Sequence, residues 1–278
     1  HKFNPCRAHQ LNCLVMNENE IFNFLSQLGD KSANITMAHF RSNLKAYNKN
    51  NETIKLDPVT EADRKTELMI RNLIEKEYPD HSIVGEEFED IDRDPKYKWY
   101  IDPIDGTKSF ISGIPLWGTL IGLQIDGVPK FGLIDNPVTK ERCIGSNRVS
   151  YRISSNIKKQ IKTSNIKDIN NIRFGYTSDE MFNTAKTKKT LDAINKKVAL
   201  TRTGGDCYFY GLLASGYLDL ILENELKPFD IIPIVPIIKG SGGIITNWEG
   251  HEKYDDGNIV ASSNHHIHNK ILDLIDKL

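Results

Sequence analysis

The chain has 278 residues, 39% of them hydrophobic and 26% charged, enough for one large domain or two modest ones with a sizeable core. A formal net charge of −1 excludes general electrostatic attraction to nucleic acid or anionic membranes, and no apolar run approaches the roughly 18 residues of a membrane span. The four cysteines, Cys6, Cys13, Cys143 and Cys207, show no Cys-x-x-Cys spacing and no histidine at zinc-ligand spacing, which reads as a reduced, cytoplasmic protein.

Residues 1–15 carry Pro5, two cysteines and scattered polar groups without helical or strand period, and lack the apolar core of a signal peptide. They read as a non-native leader. Residues 16–278 read as one domain with halves at 16–150 and 151–278. From Glu20 to about Tyr47 the pattern is helical, with Ile21, Phe24, Leu25 and Leu28 on one face and Ile35 extending it. Residues 48–55 are polar and read as a loop or hairpin tip. Thr60, with Asp63 three residues on, resembles a capping box opening a helix to about Glu77. Asp63 therefore reads either as a cap or as an acid beside a site. Ser82 to Val84 is a short strand running into Gly85-Glu86-Glu87. Adjacent strand side chains point opposite ways, so one of the two glutamates faces any site there. Residues 88–98 read as a solvated loop.

Trp99 to Ile101 reads as the end of a buried strand, broken at Pro103 and Gly106. Asp102 and Asp105 sit inside the break, beside the Thr107 hydroxyl. Asp-Pro and Asp-Gly are ordinary turn dipeptides, so solvated turn acids are one reading. The other is a shared cation, because buried acids without partners are costly. Leu116 to Ile125 and Val128 to Ile134 read as a hairpin turning at Asp126-Gly127, with Arg142 to Ile144 as a third strand. Trp117 reads as core. Residues 146–170, rich in Ser, Asn and Lys, read as a bridge between halves.

Ile172 to Tyr176 is a strand candidate, and 183–197 an exposed Lys-rich helix. Gly204-Gly205-Asp206 opens a helical pattern closed by Gly216; glycines before a helix let the backbone approach an anionic ligand, a weak signal alone. Cys207 reads as a small buried residue. Tyr217 to Leu222 is a strand ending at Glu223. Asp230, in Lys227-Pro228-Phe229-Asp230, opens a helix from Ile231 to Lys239 that Pro236 should kink, and reads as a cap or a ligand. Gly243 to Asn247 and Asn258 to Ala261 read as final strands. Residues 265–277 form a closing helix on which His265, His266 and His268 are expected to be exposed.

The separated acids all stand at element ends, and hard cations such as Mg²⁺ take oxygen ligands. Gly85-Glu86-Glu87, Asp102-Pro103-Ile104-Asp105-Gly106-Thr107 and Phe229-Asp230, in this order across residues 16–278, resemble the signature of the inositol monophosphatase superfamily. These are metal-dependent, lithium-sensitive phosphomonoesterases. The resemblance implies an α/β (α+β) fold, layered as an α/β/α/β/α sandwich, a homodimer, and two or three Mg²⁺ ions. It implies Glu86, Asp102 and the Ile104 carbonyl as ligands of one ion, and Asp102, Asp105 and Asp230 as ligands of a second. Thr107, oriented by Asp63, would position and help deprotonate the attacking water, with Glu87 backing the ligands. Asp105, Gly106, Thr107, Gly204, Gly205, Asp206, Glu223 and Asp230 would bind the phosphate-ester substrate.

The segments Lys108 to Thr119, Gly204 to Tyr208 and Leu226 to Ile231 are most similar to the histidinol-phosphate phosphatase branch. Typical inositol phosphatases carry Trp-Asp in place of Phe229-Asp230 and small neutral residues at Asp206. Acids at Asp206 and Glu223 would attract a cationic substrate. The expected reaction is hydrolysis of L-histidinol phosphate to L-histidinol and phosphate in histidine biosynthesis. The alternative is an inositol or broad sugar-phosphate phosphatase.

Overall fold

Strand side chains alternate between faces, and here both faces of both sheets are apolar, so each sheet must be covered twice. The computed structural model describes residues 17–42, 47–48, 58–59 and 61–278. The expectations for residues 1–15, for Thr60 and for most of the 48–55 loop fall outside them. That loop is flanked by a short antiparallel pair, β1 (Tyr47–Asn48) and β2 (Pro58–Val59).

The large sheet runs in chain order through β3 (His81–Gly85), β4 (Asp94–Asp105), β5 (Gly118–Ile125), β6 (Val128–Asn136), β7 (Glu141–Ser146), β8 (Ser150–Ser154) and β9 (Ile157–Gln160). Only its β3–β4 pairing is parallel. The small sheet contains β10 (Arg173–Tyr176), β11 (Leu200–Thr203), β12 (Leu220–Glu223), β13 (Ile244–Asn247) and β14 (Ile259–Ser262), in the order β11-β10-β12-β14-β13. The helices are α1 (Glu18–His39), α2 (Glu61–Glu77), α3 (Thr107–Ile111), α4 (Ala185–Asn195), α5 (Asp206–Ala214), α6 (Pro228–Ile231), α7 (Ile234–Gly240) and α8 (His265–Asp276).

Trp99, Ile101, Ile121, Leu133 and Ile144 point to one face of the large sheet, under Ile21 and Leu25 of α1 and Ile70 and Ile74 of α2. Their strand neighbours Tyr100, Leu120, Ile134 and Cys143 point to the other face, against Tyr210 and Leu213 of α5 and Ile234 to Ile238 of α7. Ile221, Ile245 and Ala261 of the small sheet close that helical layer from beyond. Phe174, Leu220 and Val260 face outward onto Leu191 and Ile194 of α4 and Ile267 and Ile271 of α8. The expected α/β/α/β/α sandwich results. The central layer sits very close to the large sheet: a Cβ on Gly132 would lie 1.8 Å from the Pro233 carbonyl. Only glycine permits that approach, which sets where the α6–α7 junction, and with it Asp230, meets β6.

Several elements differ from expectation. Helix α1 stops at His39 rather than near Tyr47, because Phe40 turns extended. Residues 94–98 join β4 instead of a loop, and the strand passes through Pro103 to Asp105 instead of ending at Ile101. The supposed bridge at 146–170 contains β8 and β9, a polar hairpin whose β9 residues are all exposed and so lack an alternating pattern. Strand β11 carries no apolar alternation either. β12 starts at Leu220, leaving Tyr217 exposed. Pro236 kinks nothing. The chain breaks at Pro233 instead, so Pro236 falls in the first turn of α7, where no partner is needed for the missing N–H. His265 and His266 are exposed, but His268 is buried between the hydroxyls of Thr246 and Ser262 at 2.9 and 3.1 Å. Trp117 and Cys207 are buried, as expected.

Candidate active site

Residues three apart on a regular strand face opposite sides. On β4 Asp102 pairs with Leu120 and Asp105 with Gly118, so three steps along β4 match two along β5. This one-residue bulge turns both carboxylates into the same cavity. Two hydrogen bonds hold its shape: Thr119 Oγ1 donates to the Pro103 carbonyl at 2.8 Å, and the Ile104 N–H donates to Asp102 Oδ1 at 3.0 Å. Thr107 Oγ1 then donates to the Ile104 carbonyl at 3.1 Å.

Asp230 arrives from the central layer. It is the third residue of α6 rather than its cap, and Oδ2 accepts the Lys227 N–H at 2.7 Å. Oxygens of Asp102, Asp105 and Asp230 lie within 4.8 Å of one another. Glu86 also lines the cavity. Its position is fixed from α2, where Glu67 and Arg71 form a buried ion pair at 2.7 Å. Glu67 Oε2 accepts the Glu87 N–H at 2.8 Å, and Arg71 donates to the Phe88 and Glu89 carbonyls, both at 3.0 Å. Gly85 must be glycine here, since a Cβ would lie 2.1 Å from Glu67 Oε1. Asp63, one turn before Glu67, is itself buried. Asp63 and Glu87 are not part of the cavity wall, consistent with one glutamate of the pair facing the site.

The cavity has a volume of about 580 Å³. Asp206 and Glu223 also line it, together with Thr177, Tyr210 and Lys227, and Asp206 stands directly beside the bulge, 2.9 Å from where a Cβ on Gly106 would lie. Asp206 opens α5 at φ +42° and accepts from Ser109 Oγ at 3.1 Å. The next backbone N–H, of Cys207, donates to Asp105 Oδ2 at 2.5 Å. Thr177 Oγ1 donates to Glu223 Oε1 at 2.8 Å, while Glu223 Oε2 is buried with no hydrogen-bond partner among the described residues. Gly106 and Thr107 line the cavity; Gly204 and Gly205 lie just off its wall, before α5. Tyr210 was missed by sequence reasoning. Its spacing from Asp206, i to i+4, places it on the same helical face and was the signal that could have found it.

So many acids in one place distort their titration. Burial, then the charges of Glu86, Asp105, Asp230 and Asp63, push Asp102 well above the usual carboxylate range. Burial, then Asp230, raises Asp105 to about 7. Burial, with Glu86 adding to it, raises Asp230 to about 7, and burial followed by Asp105 does the same to Asp206. Burial also carries Glu223 well above its ordinary value. A hard cation would relieve this repulsion. The donor set, all carboxylate and carbonyl oxygen, suits one. Asp102, Asp105 and Asp230 could hold it, with Glu86 and the Ile104 carbonyl beside them.

A five-layer sandwich with carboxylates converging at a strand bulge makes a candidate centre for a hard cation in a layered α/β protein. The profile of the inositol monophosphatase family matches residues 17–278, and the chain belongs to that family. It is 35% identical over 260 residues to the bifunctional phosphatase IMPL2, chloroplastic, of Arabidopsis thaliana, covering 90% of this chain and 73% of that one. It is 31% identical over 239 residues to the histidinol-phosphatase of Chlorobaculum parvum, covering 86% and 90%. Among solved structures, an inositol monophosphatase from Zymomonas mobilis superposes with a TM-score of 0.81 at 32% identity, covering 93% of this chain and 98% of that one. No helix among the described residues is long and apolar enough to cross a membrane.

Proposed function

We propose that this chain is a Mg²⁺-dependent phosphomonoesterase that hydrolyses L-histidinol phosphate to L-histidinol and phosphate. The observation that carries the choice of substrate is the acidic wall of Asp206 and Glu223, with Glu223 Oε2 buried and unpartnered. A phosphate ester with a protonated amine supplies the missing donor and charge at that wall, whereas a second anion would be repelled. The histidinol-phosphatase of Chlorobaculum parvum supports the same reading.

Mg²⁺ bound at Asp102, Asp105, Asp230 and Glu86 would neutralise phosphate charge and acidify water. The chain's own groups then orient the reaction. Thr107, whose hydroxyl proton points to the Ile104 carbonyl in this structure, aligns the water; on redirecting that proton to Asp63 it takes up the water's proton in exchange. The water oxygen bonds to phosphorus, the ester P–O bond breaks, and the leaving oxygen takes a proton from solvent water to become the alcohol, while Asp63 returns its own proton to solvent. Asp206, Tyr210 and Glu223 hold the organic part. The rest of the reading is a cytoplasmic, lithium-sensitive homodimer, with exposed Ile111 and Ile114 after the catalytic turn as interface candidates.

A second reading, an inositol or broad sugar-phosphate phosphatase, draws on the likeness to the Zymomonas mobilis enzyme, and carboxylates at Asp206 and Glu223 would also accept sugar hydroxyls. A panel of histidinol phosphate, inositol phosphate and sugar phosphates with Mg²⁺ decides. Equal kcat/KM across the panel rejects the specific reading, and no turnover of any member rejects both.

A further inference from the structure

A second cavity, of about 660 Å³, lies away from the acids, between the β8–β9 hairpin and the end of α5. Arg152, Lys159 and Lys162 line it, and no aspartate or glutamate among the described residues does. Arg152 and Lys159 are paired directly across β8 and β9. Like charges placed so repel; Glu141 balances Arg152, while Lys159 and Lys162 have no ion-pair partner among the described residues and leave the cavity with net positive charge. Ser215 Oγ is in the same wall, buried, with no hydrogen-bond partner among the described residues. The Tyr217 ring, 6.0 Å from the Arg152 guanidinium and 54% exposed, adds a flat apolar side.

The cavity is also wired to the active site. Arg152 donates to Glu141 Oε1, and Glu141 Oε2 accepts the Tyr208 hydroxyl at 2.8 Å. Tyr208 lies in the first turn of α5, next to Cys207, whose N–H holds Asp105. We propose that this cavity binds a small polyanion, bearing phosphate or carboxylate groups, and that binding is transmitted through Arg152, Glu141 and Tyr208 to the start of α5. The anion completes the cation cluster and competes with Glu141 for Arg152. Glu141 and Tyr208 then readjust together. The binding half of the proposal is independent of which ester the active site hydrolyses.

The test uses the full chain in buffer containing EDTA, where the acidic cavity disfavours anions. Inorganic pyrophosphate and tricarballylate are titrated separately by calorimetry, which distinguishes phosphate from carboxylate ligands. Saturable one-site binding of at least one probe is expected, weakened at least about tenfold in the Lys159→Glu/Lys162→Glu variant. Both lysines are exposed, so the variant keeps the fold. Absence of saturable binding, or equal affinity in the variant, overturns the site. Amide exchange read at Cys207 and Tyr208 should change with the probe in the parent chain. Tyr208→Phe should bind equally and lose that change; the same change in both proteins overturns the transmission.

Discussion

At the scale of single residues, the site is a set of carboxylates that burial and one another's charge hold above their ordinary range. The sign of the pH dependence follows. Between the usual value of 3.8 and about 7 the folded, metal-free chain retains a proton on Asp105 that the unfolded chain has released. That contribution to stability is complete below the unfolded value and is lost as pH rises through about 7. Mg²⁺ affinity should rise with pH through about 7, because the ion displaces protons held by Asp105 and its neighbours; titration calorimetry at several pH values measures this, and a pH-independent affinity contradicts it. Asp105→Asn should lower turnover at least about a thousandfold while raising the melting temperature of the metal-free protein, since one repelling charge is gone. Retained Mg²⁺-dependent turnover would remove Asp105 from the ligand set. Asp206→Ala should raise KM for histidinol phosphate far more than for an ester with a neutral leaving group; equal effects would take Asp206 out of substrate recognition.

At the scale of elements, α2 works as a ruler. Asp63, Glu67 and Arg71 recur at every fourth residue, so one face of one helix places a buried acid near Asp102 and clamps the Gly85–Glu89 segment that presents Glu86. Arg71→Leu should raise the half-saturating Mg²⁺ concentration about tenfold, as loss of groups behind metal ligands usually does. Its kcat at saturating Mg²⁺ should change much less. A loss confined to kcat would contradict the clamp. Acid sensitivity also belongs to elements. Burial lowers His81 to about 4, stacked between Tyr78 and Tyr97 where β3 begins, and lowers His268 to about 4 on α8. A histidine kept neutral in the fold contributes stability above its unfolded value near 6.5 that is lost as pH falls towards about 4. For His81 this amounts to about 3 kcal/mol. The stability difference between parent and His81→Gln should therefore shrink by that order between pH 7 and pH 4; chemical denaturation at the two pH values measures it.

At the scale of the whole molecule, α5 and α7 are shared property. Their side chains belong to one apolar cluster that also contains Leu120 and Ile134 of the large sheet and Ile221 and Ala261 of the small one. Neither sheet can lose that layer alone, so one calorimetric transition is expected for residues 61–278. Mg²⁺ at about 100 times its dissociation constant should add about 2.7 kcal/mol to stability, and EDTA should withdraw it. Two resolved transitions would mean that the halves are independently stable. The acidic cavity lies where this layer meets the large sheet, with Asp102 and Asp105 on β4 and Asp230 on α6.

Period and chemistry along the chain determined much by themselves. The faces of α1 and α2, the hairpin of β5 and β6, and the opposite placing of Glu86 and Glu87 were legible, because each depends on neighbours within a few residues; local pattern left Asp102, Asp105 and Asp230 as turn acids, a cap or ligands, and only the family resemblance chose among these. The resemblance of the acidic motifs supplied the layered fold. Other features were decided only in three dimensions. A bulge, not a strand end, aims Asp102 and Asp105 together, since pairing register depends on the partner strand. β9 and β11 are recruited by hydrogen bonds to neighbouring strands without an apolar pattern of their own. His268 is buried where hydroxyls from two other strands meet it, and Tyr210 lines the cavity because α5 packs with its start against Asp105. Local pattern reports which side of an element avoids water; what that side meets is settled when distant segments pack.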